Sequence, residues 1–350
     1  MHCSLARREL DGAVITSLAS IRYLTGFTGS SGLLLIGDRA TVLVTDFRYA
    51  TQAPAETGAA AVVRIEGRDQ WEALRQSIGA LRVRRLGVEQ DHLTLTQRGE
   101  LDRLEQTQIV ATQGLVEELR QVKDETEIAA IRAAASLAGE ALESILGFIR
   151  PGRNEREVAA ELEGALRRRG SEWFPFPSIV ASGPRSALPH ARCSERTIER
   201  GELVVIDFGA QVGGYCSDLT RTFVVGAPAD GRQREVYEVV RAAQRRARDG
   251  LRAGLTGKEA DTLARDVIVA AGLGQAFGHS LGHGLGLEVH EAPRLSQTND
   301  KTLPAGAVVT VEPGVYLEGW GGVRIEDDVV LRPSGAECLS DGRTELVELT

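Results

Sequence analysis

"VVIDFGAQVGGYCSDLTRTFVV", residues 204–225, places two aspartates, Asp207 and Asp218, in runs of residues that are typical of a protein interior. The apolar runs on either side of "GAQVGG" predict two strands joined by a turn. If the turn is centred between Val212 and Gly213, the antiparallel register sets Asp207 directly opposite Asp218. Two buried carboxylates side by side are unfavourable without a compensating positive charge. The stretch therefore predicts a β-hairpin and raises the question of what that charge is.

A later stretch of the chain repeats the first strand of this hairpin. When "RTIERGELVVIDFGA", residues 196–210, is set beside "KTLPAGAVVTVEPGV", residues 301–315, Asp207 falls on Glu312. A threonine, two glycines and a valine also coincide. An internal match of this kind is the sequence signature of a duplicated unit. It predicts a second strand with an acid at the position equivalent to Asp207.

The segments that precede these strands match as well. Residues 150–170, "RPGRNEREVAAELEGALRRRG", and residues 252–272, "RAGLTGKEADTLARDVIVAAG", both open with Arg-x-Gly and end in glycine. Each contains a capping box, in which a side-chain oxygen and a glutamate satisfy free amides at a helix start. The boxes are formed by Asn154 with Glu157 and by Thr256 with Glu259. We expect two helix-plus-hairpin halves about a pseudo-twofold axis that brings Asp207 near Glu312.

The second half also contains a hairpin whose acids face each other. "AVVTVEPGVYL" and "VRIEDDVVL" flank the turn "EGWGG". A hairpin centred on Gly319 sets Glu312 opposite Glu326. Arg324 lies two residues before Glu326 and therefore on the same strand face. Because one arginine does not balance four carboxylates, the pattern favours a metal site over a solvated strand face.

Nitrogen ligands are available in a glycine-rich run. The chain has six histidines, and three of them, His279, His283 and His290, lie within "GHSLGHGLGLEVHE". A fourth, His190, lies in "SALPHA". Glycines let a backbone or a substrate approach closely, and neutral imidazole is a common metal ligand. A phosphate-binding loop is excluded because neither GxxxxGK[ST] nor GxGxxG is present.

Composition and charge exclude several classes of function. The 350 residues are 42% hydrophobic and 26% charged, with a formal net charge of -8. No concentrated basic face offsets that charge, so we expect no nucleic-acid partner. The apolar runs are shorter than the roughly 20 residues that span a bilayer, and no secretion signal follows Met1, so we expect no membrane insertion. The four cysteines show no CxxC pairing, which favours a reduced, cytoplasmic protein.

The order of periodic segments predicts two domains. From residue 13 to about 110, short β-like runs such as "GLLLIG" and "ATVLVTDF" alternate with helical stretches such as "WEALRQSIGALR". A longer helical period then begins at "LVEELRQVKDETEIAAIRAAASLAGEALESIL". We place the boundary near residue 120, with a small α/β domain over 1–120 and the acid-bearing domain over 121–350. The expected fold class is mixed α/β, with α+β character.

These motifs together resemble those of the pita-bread metallopeptidases, a family that includes prolidase (Xaa-Pro dipeptidase), aminopeptidase P and methionine aminopeptidase. The resemblance covers residues 120–350 and rests on "IDFGA", "SDLTRT", "GHGLGLEVHE", "VEPGVY" and "GGVRIEDD". It implies a pita-bread fold with two divalent metal ions, for which Mn, Co, Zn and Fe are suitable and Mn is favoured. The metal ligands that it implies are Asp207, Asp218, His283, Glu312 and Glu326. Two divalent cations would bring the carboxylate cluster close to neutrality.

The same resemblance implies roles at the substrate. The implied catalytic residues are His190, His279, His290, Glu312 and Arg324. Glu312 is the implied general base, and Arg294 matches a substrate-side arginine of prolidases. Phe176, in the aromatic run "EWFPFPSI", is a candidate wall for a proline ring.

The resemblance is compatible with two peptidase activities. "YLTGFTGSSG" and "TDFRYATQA" are similar to the N-terminal domain of aminopeptidase P, whereas "IVASGPRSALPHA" is similar to prolidase. Cleavage of the Xaa-Pro bond at the N-terminus of peptides, as by aminopeptidase P, is the favoured expectation, and a strict Xaa-Pro dipeptidase is the alternative. A non-catalytic pita-bread protein that binds peptides or proteins is the third possibility. The resemblance also implies a homodimer with proline-containing peptides as substrates.

Overall fold

The chain divides into two units, Met1–Arg120 and Gln121–Thr350, which we call unit 1 and unit 2. The computed structural model describes residues 1–340 and 343–349. Both units combine helices with β-sheets, which confirms the mixed α/β class. None of the helices in the described residues is both long enough and apolar enough to cross a bilayer.

Unit 1 is built on one sheet with an apolar cluster on each face. Its strands are β1 (Gly12–Ile15), β2 (Leu33–Gly37), β3 (Thr41–Thr45), β4 (Val62–Ile65), β5 (Arg85–Glu89) and β6 (Gln108–Thr112). Its helices are α1 (His2–Arg7), α2 (Leu18–Thr25), α3 (Gln52–Thr57), α4 (Gln70–Ala80), α5 (Leu95–Leu101) and α6 (Glu117–Arg120). The sheet order is β4-β3-β2-β1-β5-β6. Ala13 and Ile15 enter one apolar cluster while Val14 enters another, because successive strand residues point to opposite faces.

Unit 2 contains the two halves predicted from the internal repeat. Its helices are α7 (Glu125–Ile145), α8 (Glu155–Arg168), α9 (Gly231–Gly250) and α10 (Gly257–Ala270). The strands of the first half are β7 (Ile179–Ser182), β8 (Glu202–Phe208), β9 (Gln211–Val212), β10 (Tyr215–Cys216) and β11 (Leu219–Val225). The remaining strands are β12 (Gly282–Gly284), β13 (Glu291–Leu295), β14 (Val308–Val311), β15 (Gly314–Leu317), β16 (Gly321–Arg324), β17 (Asp327–Arg332), β18 (Gly335–Cys338) and β19 (Val347–Leu349).

Two larger sheets organise unit 2. One has the strand order β19-β11-β8-β7 and the other the order β13-β12-β14-β17-β18. Apolar residues of α7 and α8 pack against the first sheet, and those of α9 and α10 pack against the second. The helices thus bury one face of each sheet, and this packing fixes the positions of the strand ends.

The repeated segments adopt matching local structures. α8 and α10 are both 14 residues long, and both begin with the predicted capping boxes. An isolated β-bridge joins Asn154 to Thr197 in the first half, and another joins Thr256 to Thr302 in the second. These four positions are equivalent in the sequence alignment of the repeats, so the local correspondence is confirmed.

The predicted register of the first hairpin is wrong. β8 and β11 pair so that Asp207 lies opposite Thr220, not opposite Asp218. The turn is centred between Gly213 and Gly214, since Val212 pairs with Tyr215. Both glycines have positive φ, 58° and 83°, as a two-residue turn between twisted strands requires. Moving the centre by one residue moves the partner by two, so Asp218 remains on the same strand face.

The predicted register of the second hairpin is confirmed. β14 pairs with β17 through Val311 and Asp327, and β15 pairs with β16 through Gly314 and Arg324. Both ladders follow one register, in which Glu312 comes opposite Glu326. The two acids therefore lie at the break between the ladders, where the strands bend.

Candidate active site

One cavity in unit 2 is lined by every side chain that the sequence assigned to a site. Its volume is about 1180 Å³. The predicted residues on its wall are Phe176, His190, Asp207, Asp218, His279, His283, His290, Arg294, Glu312, Arg324 and Glu326. The structure thus brings together residues that are up to 150 positions apart in the chain.

The acids occupy strand ends, which gives them both rigidity and access to the cavity. Asp207 is the penultimate residue of β8, and Asp218 immediately precedes β11. Glu312 immediately follows β14, and Glu326 immediately precedes β17. At these points the backbone leaves one ladder for another, so a side chain can turn from the apolar interior toward the cavity.

Asp218, His283 and Glu326 form a group that could hold a metal ion. One ligand atom from each lies within 4.8 Å of the others. His283 Nε2 is 3.7 Å from Asp218 Oδ2 and 3.4 Å from Glu312 Oε1. These distances are too long for direct hydrogen bonds and leave room for an ion between the side chains.

Arg324 provides the positive charge within the cluster. Its Nη2 donates to Asp207 Oδ2 at 2.6 Å, its Nε donates to Thr220 Oγ1, and its Nη1 donates to the Tyr316 hydroxyl. The residue is 3% exposed. A planar guanidinium holds its partners in fixed directions, so Arg324 fixes the orientation of Asp207.

Two threonines orient the glutamates. Thr220 Oγ1 donates to Glu326 Oε2 at 2.6 Å. Thr310 Oγ1 donates to Glu312 Oε1 at 3.2 Å and accepts a hydrogen bond from the amide of His283. Neither threonine was predicted from the sequence. Strand alternation could have identified them, because each threonine lies two positions from a predicted acid and therefore on the same strand face.

The environment disfavours charge on the acids. Burial, together with the charges of Glu326 and Asp207, raises the pKa of Asp218 well above its usual value. Burial and the charges of Glu312 and Asp207 raise the pKa of Glu326 in the same way. Burial raises the pKa of Glu312 to about 8 despite the nearby Arg324. Each shift reports carboxylates held close together out of water.

The donor set fits a divalent cation. Asp207 Oδ1 and Asp218 Oδ1 are buried and have no hydrogen-bond partner in the described residues. His283 Nδ1 lies 3.0 Å from the carbonyl oxygen of Gly284, so it carries the proton and the Nε2 lone pair faces Asp218 and Glu312. Burial lowers the pKa of His283 to about 4, so the ring stays neutral near pH 7. A lone pair directed at carboxylates is favourable only with a cation between them.

The other three histidines line the cavity beyond this cluster. The rings of His290 and His283 lie 4.4 Å apart between centroids. His279 Nδ1 donates to the carbonyl of Ser280, and its Nε2 accepts from the Tyr316 hydroxyl at 2.9 Å. The hydroxyl of Tyr316 donates here, because the neutral ring of His279 carries its proton on Nδ1 and offers only a lone pair at Nε2. Tyr316 was not predicted from the sequence, because its place in the site follows from its side-chain contacts with His279 and Arg324.

The pH dependence of stability tests the environment of His279. Burial lowers its pKa from 6.5 to about 4. Between these values the unfolded chain binds the proton and the folded chain does not, so the contribution of His279 to stability is lost as the pH falls. We expect the difference in unfolding free energy between wild type and His279→Gln, measured with chelator present, to shrink from pH 6.5 to pH 4. His2→Gln, at an exposed histidine, is the control, and a similar trend in both variants would contradict the assignment.

Two glycines flank His283 because the neighbouring backbone is too close for a side chain. A Cβ on Gly282 would lie 2.0 Å from the carbonyl oxygen of Thr310, and one on Gly284 would lie 2.2 Å from that of Ala292. Neither oxygen can move without displacing its strand. The glycines therefore set the depth at which β12 presents His283.

Gly284→Ala is accordingly expected to destabilise the protein by about 2 kcal/mol or more and to lower metal affinity. Gly278→Ala is the matched control in the same glycine-rich run, because a Cβ there meets no atom within 4 Å. Thermal unfolding and metal titration of both variants measure the two effects. Equal behaviour of the two alanines would show that close packing around His283 is unimportant.

Comparison with known proteins identifies the family of this chain. Residues 129–333 match the model of metallopeptidase family M24, and residues 2–122 match the creatinase/prolidase N-terminal domain. An Xaa-Pro dipeptidase from Pyrococcus horikoshii is 37% identical over 347 residues, covering 97% of this chain and 95% of that protein.

Solved structures are similar over almost the whole chain. The structure of an Xaa-Pro dipeptidase from Bacillus anthracis has a TM-score of 0.96 at 43% identity, covering 99% of this chain and 97% of that one. An X-Pro aminopeptidase from Thermotoga maritima has a TM-score of 0.92 at 40% identity, covering 99% of both chains. The expected fold and the expected family are both confirmed.

Proposed function

The chain belongs to metallopeptidase family M24, and from that premise we propose that it is an Xaa-Pro dipeptidase acting at the carboxylate cluster of unit 2. The observation that carries the proposal is a set of carboxylates at the wall of a cavity that also holds histidines and arginines. Two of these carboxylates have a buried oxygen with no hydrogen-bond partner among the described residues. Family membership makes the chain a metallopeptidase, which disfavours the non-catalytic binding protein considered above.

Asp207, Asp218, His283, Glu312 and Glu326 are the residues that would hold metal. Their oxygen-rich set with one nitrogen suits two divalent ions of the Mn, Co, Fe or Zn type, and we propose Mn. When bound, such ions supply a Lewis acid that polarises the scissile carbonyl and lowers the pKa of water. The absence of cysteine among these residues argues against thiolate-type zinc ligation.

The side chains around the cluster would perform the remaining chemistry. Glu312 can accept a proton from the attacking water on a carboxylate oxygen and pass it to the leaving nitrogen. His190 and His290 can hold the substrate and stabilise the developing oxyanion. His279, kept neutral by burial, can line the proline pocket. Arg324 keeps Asp207 in place throughout.

Arg294 supports a dipeptide substrate. It lines the cavity and makes no ion pair within residues 1–340 and 343–349. In a dipeptide the terminal carboxylate lies one residue beyond the scissile bond, where an unpaired guanidinium can bind both its oxygens. Phe176, on the same cavity wall, offers an aromatic face for the proline ring, which has no amide hydrogen to be recognised.

The proposal departs from the aminopeptidase P expected from the sequence. The relative from Pyrococcus horikoshii and the structure from Bacillus anthracis are named dipeptidases, which supports the shorter substrate. The Thermotoga maritima structure is named an aminopeptidase, so aminopeptidase activity is the second candidate. The homodimer and the cytoplasmic location stay predictions from the sequence.

A substrate-length assay tests the proposed function. Protein freed of metal and reloaded with Mn, Co or Zn is assayed on Ala-Pro and on Ala-Pro-Ala. We expect turnover of the dipeptide alone. Comparable turnover of the tripeptide would make the protein an aminopeptidase, and no turnover of either with any metal would favour a binding protein.

A further inference from the structure

His190 differs from the other cavity histidines in how its ring is placed. The ring makes no hydrogen bond or aromatic contact within the described ranges 1–340 and 343–349. The rings of His279 and His283 are hydrogen-bonded, and that of His290 packs on His283. The position of His190 in the cavity therefore depends on the backbone segment that carries it.

That segment, residues 183–193, lies between two serines. It leaves β7 after Ser182, forms a short 3-10 helix over Gly183–Ala187, and then runs without regular structure to Ser194. Within it, Leu188 N donates to the Arg185 carbonyl and Ala191 N donates to the Leu188 carbonyl. The Ser186 hydroxyl accepts from the amide of Gly322, and the Pro189 carbonyl accepts from Arg324 Nη1 at 3.3 Å. How its two ends are held sets the remainder of its course.

Glu155 holds both ends. It is the first residue of α8, and its side chain is fully buried. Oε1 accepts from the amide of Ser182 at 2.9 Å and from its hydroxyl at 3.0 Å. Oε2 accepts from the amide of Ser194 at 2.9 Å and from its hydroxyl at 2.6 Å. One carboxylate thus closes the segment into a loop.

Arg185 braces the loop from inside. Its Nε donates to both oxygens of Glu155, at 3.2 and 3.1 Å, and its Nη2 donates to the carbonyl of Arg192 at 2.6 Å. Arg192 is only two residues from His190. Arg185 therefore links the buried carboxylate of Glu155 to the backbone two residues from His190.

We propose that Glu155 is the positioning residue for His190, acting through the closed loop 183–193. The carboxylate is needed because four groups on two serines and the guanidinium of Arg185 all donate to it. Glutamine has nearly the same volume but turns an NH₂ group toward one serine, whose amide and hydroxyl donors then lose their acceptor. That end of the loop loses its contact with α8, and His190 shifts in the cavity.

The kinetic test is a double-mutant cycle with Ala-Pro, and it rests on the proposed function. We expect Glu155→Gln to lower kcat/KM roughly 10- to 100-fold and His190→Asn to lower it by about 100-fold or more. Because Glu155 acts through His190, the double variant should match His190→Asn within about twofold. Multiplication of the two losses would overturn the proposal.

Asp261→Asn is the matched control. Asp261 is a fully buried carboxylate of α10, the equivalent helix of the second half; it pairs with Arg265 and accepts from the amide of Leu281. It anchors the segment that carries His279 and not the one that carries His190. Its loss should therefore multiply with that of His190→Asn, as expected for independent sites.

A spectroscopic readout decides the proposal without any activity. In Zn-loaded protein labelled at histidine Cε1, which avoids the paramagnetic broadening caused by Mn, the His190 resonance is assigned by its absence in His190→Asn. We expect Glu155→Gln to shift or broaden this resonance, with metal content unchanged, and Asp261→Asn to leave it at its wild-type position. An unchanged His190 resonance in folded Glu155→Gln would refute the role. If wild type cleaves no Xaa-Pro peptide, the proposed function fails while this measurement still tests Glu155.

Discussion

Replacing Glu312 with glutamine is expected to lower kcat for Ala-Pro by about 10³- to 10⁴-fold while the fold is retained. The side chain is positioned by Thr310 Oγ1, 3.2 Å from Oε1, and faces His283 Nε2 at 3.4 Å. Glutamine fills the same volume and can still accept from Thr310. It has neither the negative charge that a cation requires nor the basic oxygen that takes a proton from water, so both proposed roles are removed together.

The metal-free state separates these roles from a general loss of stability. Burial and the charge of Asp207 both raise the pKa of Glu312, so the carboxylate is costly in the absence of metal. We therefore expect Glu312→Gln to unfold at the same temperature as wild type, or a higher one, in the presence of chelator. Addition of Mn should raise the unfolding temperature of wild type more than that of Glu312→Gln. The reason is that a ligand that binds the folded state raises the apparent stability, and the variant binds Mn less well.

Glu318→Gln is the control for this variant. Glu318 is exposed between β15 and β16 and does not line the cavity. Its kcat and metal content, measured by elemental analysis, should equal those of wild type. A Glu312→Gln enzyme that kept its metal and more than about one tenth of wild-type kcat would contradict the general-base role. Loss of a general base lowers kcat by at least about 100-fold.

Replacing Arg324 with alanine is expected to cost about 3–5 kcal/mol of stability in the metal-free protein. Its guanidinium is the cation that contacts Asp207, at 2.6 Å, in a site where other acids lie nearby. Removing it leaves a buried carboxylate without its partner. With metal bound the loss should be smaller, because the ions then compensate Asp207, and metal affinity should fall by roughly 10- to 100-fold.

Arg324→Lys distinguishes charge from geometry. Lysine keeps the positive charge but cannot reach Thr220, Tyr316 and Asp207 together, since an ammonium has no planar fork. We expect stability between those of wild type and alanine, and kcat closer to that of alanine. Urea unfolding with and without Mn, and kcat on Ala-Pro, measure the two quantities.

Arg332→Ala and Arg332→Lys are the matched surface controls. The Arg332 side chain is 31% exposed and pairs with Glu125, whose side chain is 76% exposed. An exposed pair of this kind contributes about 0–1 kcal/mol. If alanine at Arg324 costs no more than alanine at Arg332, the cluster does not depend on its internal arginine.

Much of the site could be predicted because its signals are local. The capping boxes of α8 and α10 depend on residues three positions apart, and the register of the second hairpin follows from its turn. The first register failed by one residue at its centre, although the adjacent Gly213 and Gly214 carried the information that the turn lies between them. The error preserved the strand face, and Asp218 lies on the same cavity wall as Asp207.

By itself the amino-acid sequence determined the duplicated halves, the acids at equivalent strand ends and the need for a cation, because periodicity, capping and charge are properties of neighbours along the chain. Only the tertiary structure decided that Tyr316 joins His279 to Arg324 and that Glu155 closes the loop carrying His190. The physical reason is that these contacts join residues from different elements. A hydrogen bond of about 3 Å between such groups is specified by the packing of the elements and leaves no periodic trace in the sequence.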